Sequence, residues 1–370
     1  MPLQGEASHK PTYLNLTPVV QGASQVHRAY HQVYGRPIVQ KTVPAAALLP
    51  DSVARGEPEI LLEIDHAAIP RIHEAQYEPT RPGFITFVMD DVGDFDADEV
   101  VLGRRPRPSV GEAAGIGMQL LSALEYIHVV NGLVHRDIKP DNIRLSSDMT
   151  EAWLIDFNYA GRLGSQRTVV GAQTPFAWMA PEVPIKGRYG IPSELYALGI
   201  VLYELICGRM MAAGYPAERQ EDRVSSGERA FPNSHFKRWP PETPASVRKV
   251  ITKAFAADPS KRWQTATEMR QALGRCVYVD WRKDPSTDGR WVGSWPSSRV
   301  PSQRVEVEVV TRLLKAGKDR GRTRALARYR PAATWRRLPG LADHLVESDS
   351  KLRHFFDDVE RRLARIRPAS

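Results

Sequence analysis

The chain has 370 residues, of which 42% are hydrophobic and 25% charged, and its formal net charge is +8 at pH 7. This length is sufficient for two lobes and an additional segment, and the composition excludes a largely disordered or membrane-embedded protein. The N-terminus lacks the basic-then-apolar order of a secretory signal, and only Cys207 and Cys276 occur, so we expect no disulfide framework and a reducing, cytoplasmic location. The longest apolar run, Leu195 to Cys207, is interrupted by Glu204, so no membrane span is expected.

Residues 13–92 have the pattern of a small β-rich lobe, preceded by an N-terminal arm at residues 1–12. Residues 19–43 alternate and turn in a way that predicts a three-stranded meander. Gly22 is the single glycine of its first turn, and Lys41 lies in its last strand. Phe84 to Val92 predicts a further apolar strand that leads out of this lobe.

A helix and a charged loop follow. Ser109 to Asn131 has apolar residues at helical spacing, and Gly132 ends the predicted helix. The next segment, Leu133 to Leu145, places short apolar pairs on both sides of a polar loop. The polar residues of this loop are His135, Arg136, Asp137, Lys139 and Asn142.

The polar residues of this loop suit phosphoryl transfer. Asp137 can orient a hydroxyl and accept its proton, Lys139 can neutralise the transferred group, and Asn142 can hold a metal ion. Each residue type also occurs in ordinary loops, where carboxylates commonly cap turns. Their combination at these spacings is what favours chemistry.

Four further motifs follow in a fixed order. They are Asp156-Phe157-Asn158, Ala180-Pro181-Glu182, the apolar segment Ser193 to Gly208, and Asp258 to Arg262. With the charged loop, this series resembles the eukaryotic-type protein kinases, and Lys139 resembles their serine/threonine branch. The resemblance implies an α+β bilobal kinase fold, with a small lobe at residues 13–92 and a larger helical lobe at residues 93–276.

The resemblance also implies the site residues. Asp137 and Lys139 would be catalytic, and Asn142 and Asp156 would hold Mg²⁺. Lys41 would pair with the phosphates of ATP and with a carboxylate, for which Glu57 is the first choice and Glu59 the second. The remaining residues expected around ATP are Gly22, Val26, Val39, Met89, Asp90, Val92 and Arg144.

Several positions depart from the family pattern. Gly22 stands alone where the family has a glycine-rich loop, and Val39 replaces a small residue in the roof of the nucleotide pocket. Arg144 replaces an apolar residue below the adenine, where it would either stack on the base or point away. Asn158 replaces a glycine, and we expect it to tolerate a left-handed backbone there. Glu194 keeps the carboxylate that ties down the catalytic loop but lengthens it by a methylene.

The segment before Ala180 resembles an activation segment. Arg136 would belong to a pocket for a phosphate on this segment, helped by Arg162 and Arg167. The candidate phosphate acceptors are Ser165, Thr168 and Thr174.

Residues 277–370, the basic extension, lie beyond the resemblance. Residues 281–370 hold 21 Lys/Arg and 11 Asp/Glu. We expect residues 281–298 to be irregular and packed by three tryptophans, and residues 304–316 and 350–366 to be amphipathic helices. The extension either docks on its own chain or binds a partner; nucleic acid is not favoured because no binding motif occurs.

The leading hypothesis is ATP- and Mg²⁺-dependent phosphorylation of Ser/Thr hydroxyls on a protein substrate, possibly including the chain itself. The alternative is a pseudokinase scaffold, which binds a partner through the kinase fold and the basic extension. A small-molecule kinase ranks third, because the Ala180-Pro181-Glu182 segment and Lys139 argue against it.

Overall fold

The computed structural model describes most of the chain. The described residues are 13–20, 25–33, 35–44, 56–78, 81–171, 174–209, 215–296, 304–330 and 334–365. The predicted arm at residues 1–12 and the predicted nucleotide-binding residue Gly22 lie outside them. Within the described residues the chain forms a β-rich small lobe, a helical large lobe and a third unit, so the expected bilobal α+β fold is confirmed.

The small lobe is an antiparallel sheet with one short helix. In chain order its elements are β1 (Tyr13–Val20), β2 (Gln25–His31), β3 (Arg36–Pro44), α1 (Glu57–Leu62), β4 (Ile72–Tyr77) and β5 (Phe84–Asp90). The strand order is β1-β2-β3-β5-β4, so the predicted meander is present and β3 is the central strand. Pro58 lies in the first turn of α1, where its missing N–H leaves no helix hydrogen bond unmade.

The large lobe is built around long helices. Its elements are β6 (Phe95–Asp96), α2 (Ala97–Val101), α3 (Val110–Tyr126), β7 (Leu133–Val134), β8 (Ile143–Leu145), β9 (Ala152–Leu154), β10 (Gly161–Arg162), β11 (Thr168–Val170), α4 (Glu182–Lys186), β12 (Arg188–Gly190), α5 (Ile191–Cys207), α6 (Ala217–Ser225), α7 (Ala245–Ala254) and α8 (Ala266–Gly274). Almost every residue of α5 is buried, because α3, α7 and other elements surround it.

Helix α3 leads the chain to the charged loop. Ser109 and Glu112 form a reciprocal capping box at its start. Its end continues into a π-helical turn, Ile127–Asn131, which Gly132 closes with a left-handed backbone. Among the described helices, Val110–Asn131 alone is long and apolar enough to cross a membrane. It is the core helix of the large lobe, and length and apolarity alone are weak evidence for a span.

The sequence predicted that the basic extension consists of an irregular segment and two helices, but in the structure it is mainly a β-sheet. It forms an antiparallel sheet covered on one face by one helix. Its elements are β13 (Arg282–Lys283), β14 (Arg290–Pro296), β15 (Arg304–Leu313), β16 (Thr323–Arg330), β17 (Arg336–Arg337), β18 (His344–Val346) and α9 (Asp349–Leu363). The helix predicted at residues 304–316 is wrong, because Val305, Val307 and Val309 alternate with charged residues and have high strand propensity.

Two other expectations for the extension had mixed outcomes. The prediction that residues 281–298 are irregular is wrong, since they contain β13 and β14. The predicted packing of the three tryptophans is present, because Trp281 and Trp291 are buried and Trp295 packs against them. The predicted C-terminal helix is confirmed as α9.

The basic extension docks on the large lobe through buried and charged contacts. The Asp280 carboxylate accepts hydrogen bonds from the N–H of Gly111 at 2.8 Å and from the hydroxyl of Ser109 at 3.1 Å. It therefore sits at the positive end of the α3 dipole. At a second point Arg248 of α7 bonds Asp357 of α9 at 2.8 Å.

We expect Phe356→Ala to destabilise the basic extension by about 3–5 kcal/mol, because it opens a cavity between α9 and the sheet. Phe356 is 2% exposed, and its ring lies 5.1 Å from that of Trp281 and 5.5 Å from that of Trp291. Urea denaturation followed by tryptophan fluorescence measures this loss. His354→Ala, on the exposed side of the same helix, is the control, and equal losses in both variants would contradict the packing described.

Candidate active site between the lobes

A cleft of about 600 Å³ lies between the two lobes. Ten of the predicted site residues line it: Val26, Val39, Lys41, Met89, Asp90, Val92, Lys139, Asn142, Arg144 and Asp156. Nine further residues, which are not among the predicted site residues, also line it: Arg28, Pro70, Asp91, Asp96, Asp141, Ile155, Pro175, Trp178 and Arg209. Glu57 and Asp137 are buried and contact residues of this lining.

Lys41 connects the two lobes at the back of the cleft. Its Nζ lies 2.6 Å from Glu57 Oε2 and 2.8 Å from Asp156 Oδ1, so the predicted pairing with Glu57 is present. Burial acts to lower the pKa of Lys41, but the two carboxylates outweigh it and raise that pKa, which keeps the amine charged. Burial raises the pKa of Glu57 against the pull of Lys41; the 2.6 Å contact nevertheless favours the ion pair.

Strand β3 and helix α1 produce this geometry. Lys41 lies opposite Phe87 in the centre of the sheet, where the register is fixed by a buried face. Glu57 is the first residue of α1. Its second oxygen, Oε1, accepts the N–H of Phe157 at 3.1 Å, so α1 also holds the segment that carries Asp156.

The charged loop between β7 and β8 is closed by its own side chains. Asp137 is 1% exposed, and its Oδ2 accepts hydrogen bonds from Lys139 at 2.7 Å and from Asn142 at 2.8 Å. Asn142 also donates to the Asp137 carbonyl at 2.8 Å. Asp137 Oδ1 is buried and has no hydrogen-bond partner among the described residues. An unpaired buried acceptor is costly, so a donor from a bound molecule would fit there.

Glu194 of α5 holds this loop from below. Its Oε1 accepts the backbone N–H groups of His135 at 2.7 Å and Arg136 at 2.9 Å. Its Oε2 contacts Nε2 of His128 at 2.6 Å. The sequence analysis missed His128, which the π-helical turn after α3 carries; a histidine in an otherwise apolar helix end was the available signal. The longer side chain of Glu194 thus keeps the loop-binding role expected of it.

His135 joins the charged loop to the segment after β9. Its Nε2–H donates to the carbonyl of Ile155 at 3.0 Å, and its Nδ1 accepts the N–H of Asp137 at 3.3 Å. Its ring packs edge-on against Phe157 at 4.6 Å. Both ring nitrogens are satisfied only in the neutral form, and burial lowers the pKa of His135.

The two predicted metal ligands line the same cleft. The amide nitrogen of Asn142 donates to Asp137, which leaves its amide oxygen for a cation. The nearby Lys41 charge lowers the pKa of Asp156 although burial opposes this, so its carboxylate is ionised. Among the described residues, no cluster of three or more His, Cys, Asp or Glu could hold a metal. Asn142 and Asp156 each offer an oxygen ligand, and a divalent cation such as Mg²⁺ commonly takes one or two protein oxygens and completes its shell with phosphate and water.

At the base end of the cleft, Arg144 is bonded to the connection between the lobes. Its guanidinium donates to the carbonyls of Val92 at 3.1 Å and Gly93 at 2.9 Å, and to Asp96 at 2.8 Å. All three nitrogens are therefore committed to the connection between the lobes. Gly93 has φ +64°, and a Cβ there would lie 2.8 Å from the Arg144 Cβ, so this contact requires glycine.

Two other features of the cleft were not foreseen. Arg28 of β2 bonds Asp91 at 3.2 Å, which adds a second charged pair at the mouth of the cleft. The left-handed backbone expected at Asn158 is wrong, because among these residues it is Asp156 that has φ +66°. A non-glycine residue in this conformation is strained and must be held by its surroundings, here by Lys41.

The activation segment packs against the charged loop. Arg136 donates to the Val170 carbonyl at 3.1 Å, and the Thr174 hydroxyl donates to the Arg136 carbonyl at 2.6 Å. Arg162 is committed to Glu63 at 2.5 Å, so it does not contribute to a pocket beside Arg136. Of the candidate acceptors, Ser165 is exposed, Thr168 is half-buried and Thr174 is buried.

A buried ion pair anchors the end of this segment. Both terminal nitrogens of Arg262 bond the Glu182 carboxylate, at 2.8 and 2.7 Å, and so join two of the motifs that the sequence analysis identified. Arg262 is 2% exposed, and it also donates to the carbonyls of Ala256 and Ala257. Removing either partner would leave an uncompensated buried charge.

Comparisons with known proteins agree with this geometry. The protein kinase domain family matches residues 21–273. Serine/threonine-protein kinase PrkC of Bacillus subtilis is 34% identical over 232 residues, which are 61% of this chain and 34% of PrkC. Calcium/calmodulin-dependent protein kinase type II subunit delta of Oryctolagus cuniculus is 32% identical over 216 residues, which are 56% of this chain and 38% of that protein. The chain spans little more than a third of the length of these relatives.

We expect the stability of the chain to fall as the pH drops below 6.5, the ordinary pKa of histidine, partly because His135 must stay neutral in the fold. The unfolded chain binds this proton more readily, so one such group costs up to about 1.4 kcal/mol per pH unit as the pH falls towards the folded pKa. His135→Gln should be less stable at pH 7.5 but lose less stability between pH 7.5 and 5.5. Urea denaturation at these pH values measures it, with His354→Gln as control; parallel pH profiles for His135→Gln and the parent would contradict it.

Proposed function

The chain belongs to the protein kinase family, and we propose that it transfers the γ-phosphoryl group of ATP to Ser or Thr hydroxyls of a protein substrate. The observation that carries this proposal is the unpartnered buried oxygen Asp137 Oδ1, next to Lys139, which lines the same cleft as Lys41 and Asp156. A substrate hydroxyl is the donor that would complete Asp137, and Lys139 already lies beside it to meet an incoming phosphoryl group.

The residues divide the reaction between them. The substrate oxygen attacks the γ-phosphorus, the bond to the β,γ-bridging oxygen breaks, and ADP leaves, while the hydroxyl proton passes to Asp137. Lys139 neutralises charge on the transferred group, and Lys41, fixed by Glu57, binds the other phosphates. Asn142 and Asp156 would hold Mg²⁺, which would neutralise charge on the phosphates.

Autophosphorylation forms part of the proposal. Ser165 is the favoured acceptor because it is exposed, whereas the Thr174 hydroxyl is buried and already bonded to the Arg136 carbonyl.

We also propose a cytoplasmic location for the chain. The support for this location is that Cys207 and Cys276 are free cysteines.

A second candidate is a pseudokinase scaffold, and the observation that favours it is Arg144. The Arg144 guanidinium donates a hydrogen bond to the Val92 carbonyl. It thereby places a charged group at the base end of the cleft. Val39 narrows the opposite wall. A chain with these features could keep the kinase fold for partner binding without transferring phosphate.

We expect Asp137→Ala to lower transfer of labelled γ-phosphate from ATP by about 10²–10⁴-fold, because the variant lacks the proton acceptor. Transfer to the chain itself and to a generic protein acceptor is measured with Mg²⁺. Asp148→Ala, in the exposed turn after β8, removes a carboxylate away from the cleft and should leave transfer unchanged. Equal labelling by Asp137→Ala and the parent would sink the kinase proposal, and absent labelling in the parent would favour the scaffold.

We expect Arg144→Leu to bind MgADP about three- to tenfold more tightly than the parent, because it gives the base an apolar floor and frees the Val92 carbonyl. Titration calorimetry measures this affinity. Arg144→Lys is the matched control, since it keeps the charge but loses the planar guanidinium, and it should show no gain. Weaker binding by Arg144→Leu would show instead that the guanidinium supports the nucleotide.

A further inference from the structure

The sheet of the basic extension has one face against α9 and one face away from it. Trp291, Val307, Val309, Ala325 and Ala327 pack with α9. Residues alternate across a strand, so their neighbours lie on the opposite face. The strand register places these charged residues there: Arg282, Arg290, Arg304, Arg312, Arg324, Arg328, Arg330 and Arg337, with Glu306 and Glu308. We refer to this set as the arginine face.

Part of this charge is compensated inside the face. Glu308 is 1% exposed and bonds both Arg290, at 3.0 Å, and Arg328. Glu306 bonds Arg330, which lies directly opposite it. These pairs fix the centre of the sheet.

The surrounding arginines are less fully compensated. Arg282 pairs with Glu112 of α3 at 2.9 Å, and Arg337 pairs with Asp343 at 3.4 Å. Arg304 and Arg312 form no ion pair with the described residues.

Some arginines of this face also oppose one another across the sheet. Arg312 lies directly across from Arg324, and Arg328 directly across from Arg337. Like charges at opposed positions destabilise a sheet. Among the described residues Arg312 forms no ion pair. Arg324 lies 3.9 Å from Asp319, which also forms an ion pair with Arg322 at 3.4 Å. The register therefore leaves positive charge that the extension itself does not neutralise.

The face is also concave and partly apolar. Two adjoining clefts, of about 520 and 480 Å³, share Asp280 and Ser294. Trp335, stacked with Arg330 at 5.4 Å, lines the larger cleft, and Arg304 lines the smaller one. Val292, Val310 and Leu326 lie between the arginines. No residue of the cleft between the lobes belongs to this surface.

We propose that the arginine face is a docking site for an acidic, extended segment of a partner protein. The positively charged positions on the described strands of this face are all arginine and none is lysine, and the planar guanidinium pairs with carboxylates in a bidentate manner. The mixed pattern favours a peptide over nucleic acid. Regularly spaced phosphates would meet Glu306, whereas a peptide can place an uncharged or basic residue there and apolar residues over Val292 and Leu326.

The test uses the full chain without nucleotide, so its result is independent of phosphoryl transfer. The probe is a fluorescein-labelled peptide of about 12 residues that alternates Glu with Leu and Ser, long enough to cross the sheet. Its binding is followed by fluorescence anisotropy at two salt concentrations. The variant is Arg304→Gln/Arg312→Gln/Arg324→Gln, which spares the arginines that pair with Glu306, Glu308 and Asp343 and removes at most the 3.9 Å contact of Arg324 with Asp319.

The triple variant should bind the peptide at least about tenfold more weakly than the parent, and rising salt should weaken parent binding. Its Tm should be unchanged or higher, because opposed like charges have been removed. The control Arg219→Gln/Lys237→Gln/Lys249→Gln removes the same charge from the exposed surface of the large lobe and should bind like the parent.

Four results would overturn the proposal. The triple variant could bind like the parent, or the control could lose as much affinity as the triple variant. A peptide with Gln in place of Glu could bind equally well, or a single-stranded DNA of similar length could bind more tightly through the same arginines. A lower Tm of the triple variant would likewise show that these arginines hold the sheet together rather than serve a partner.

Discussion

The contact of Lys41 with Glu57 and Asp156 is the interaction on which the arrangement of the cleft depends. It brings together a strand of the small lobe, its helix and a segment of the large lobe; Lys41 and Glu57 are withdrawn from water, and Asp156 is half-buried. A buried charge is tolerated only when it is paired and hydrogen-bonded. Removing any one of the three side chains would therefore leave the desolvation cost of the others less well compensated. The position of one lobe on the other is thereby coupled to the position of the groups that we propose to bind phosphate.

This constraint extends into the charged loop through a short series of contacts. Glu57 accepts the N–H of Phe157, Phe157 packs on His135, and His135 accepts the N–H of Asp137. Glu194 supports the same loop from α5 through two backbone N–H groups. A backbone N–H donor is present whichever side chain the residue carries. This part of the site therefore depends on the Glu194 carboxylate and not on the side chains of His135 and Arg136. The site is consequently preorganised before any ligand arrives.

The parts that the sequence predicted correctly are those whose chemistry is encoded locally. The loop from His135 to Asn142 and the segment at Asp156 carry fixed residue types at fixed spacing, and their positions in the structure follow from it. The pairs Arg28–Asp91 and Arg144–Val92 join residues 63 and 52 positions apart, and no local pattern indicates them. The wrong helix at residues 304–316 has a different cause: the valines fit a helical stripe in part, but their strict alternation and β-branching favour a strand, which only the partner strands β14 and β16 make evident.

The base end of the cleft is where the chain departs from its family, and the physical effect is two-sided. Arg144 adds charge where an adenine would prefer an apolar surface, which opposes binding. The same side chain fastens Val92 and Gly93 to β8, and Arg28 fastens Asp91 to β2, so the connection between the lobes is ordered without a ligand. A nucleotide that binds there has less conformational entropy to remove from the protein. The charged pairs therefore weaken the attraction for the base, but they also set the geometry of the cleft in advance. The groups that would bind phosphate are unaffected by them.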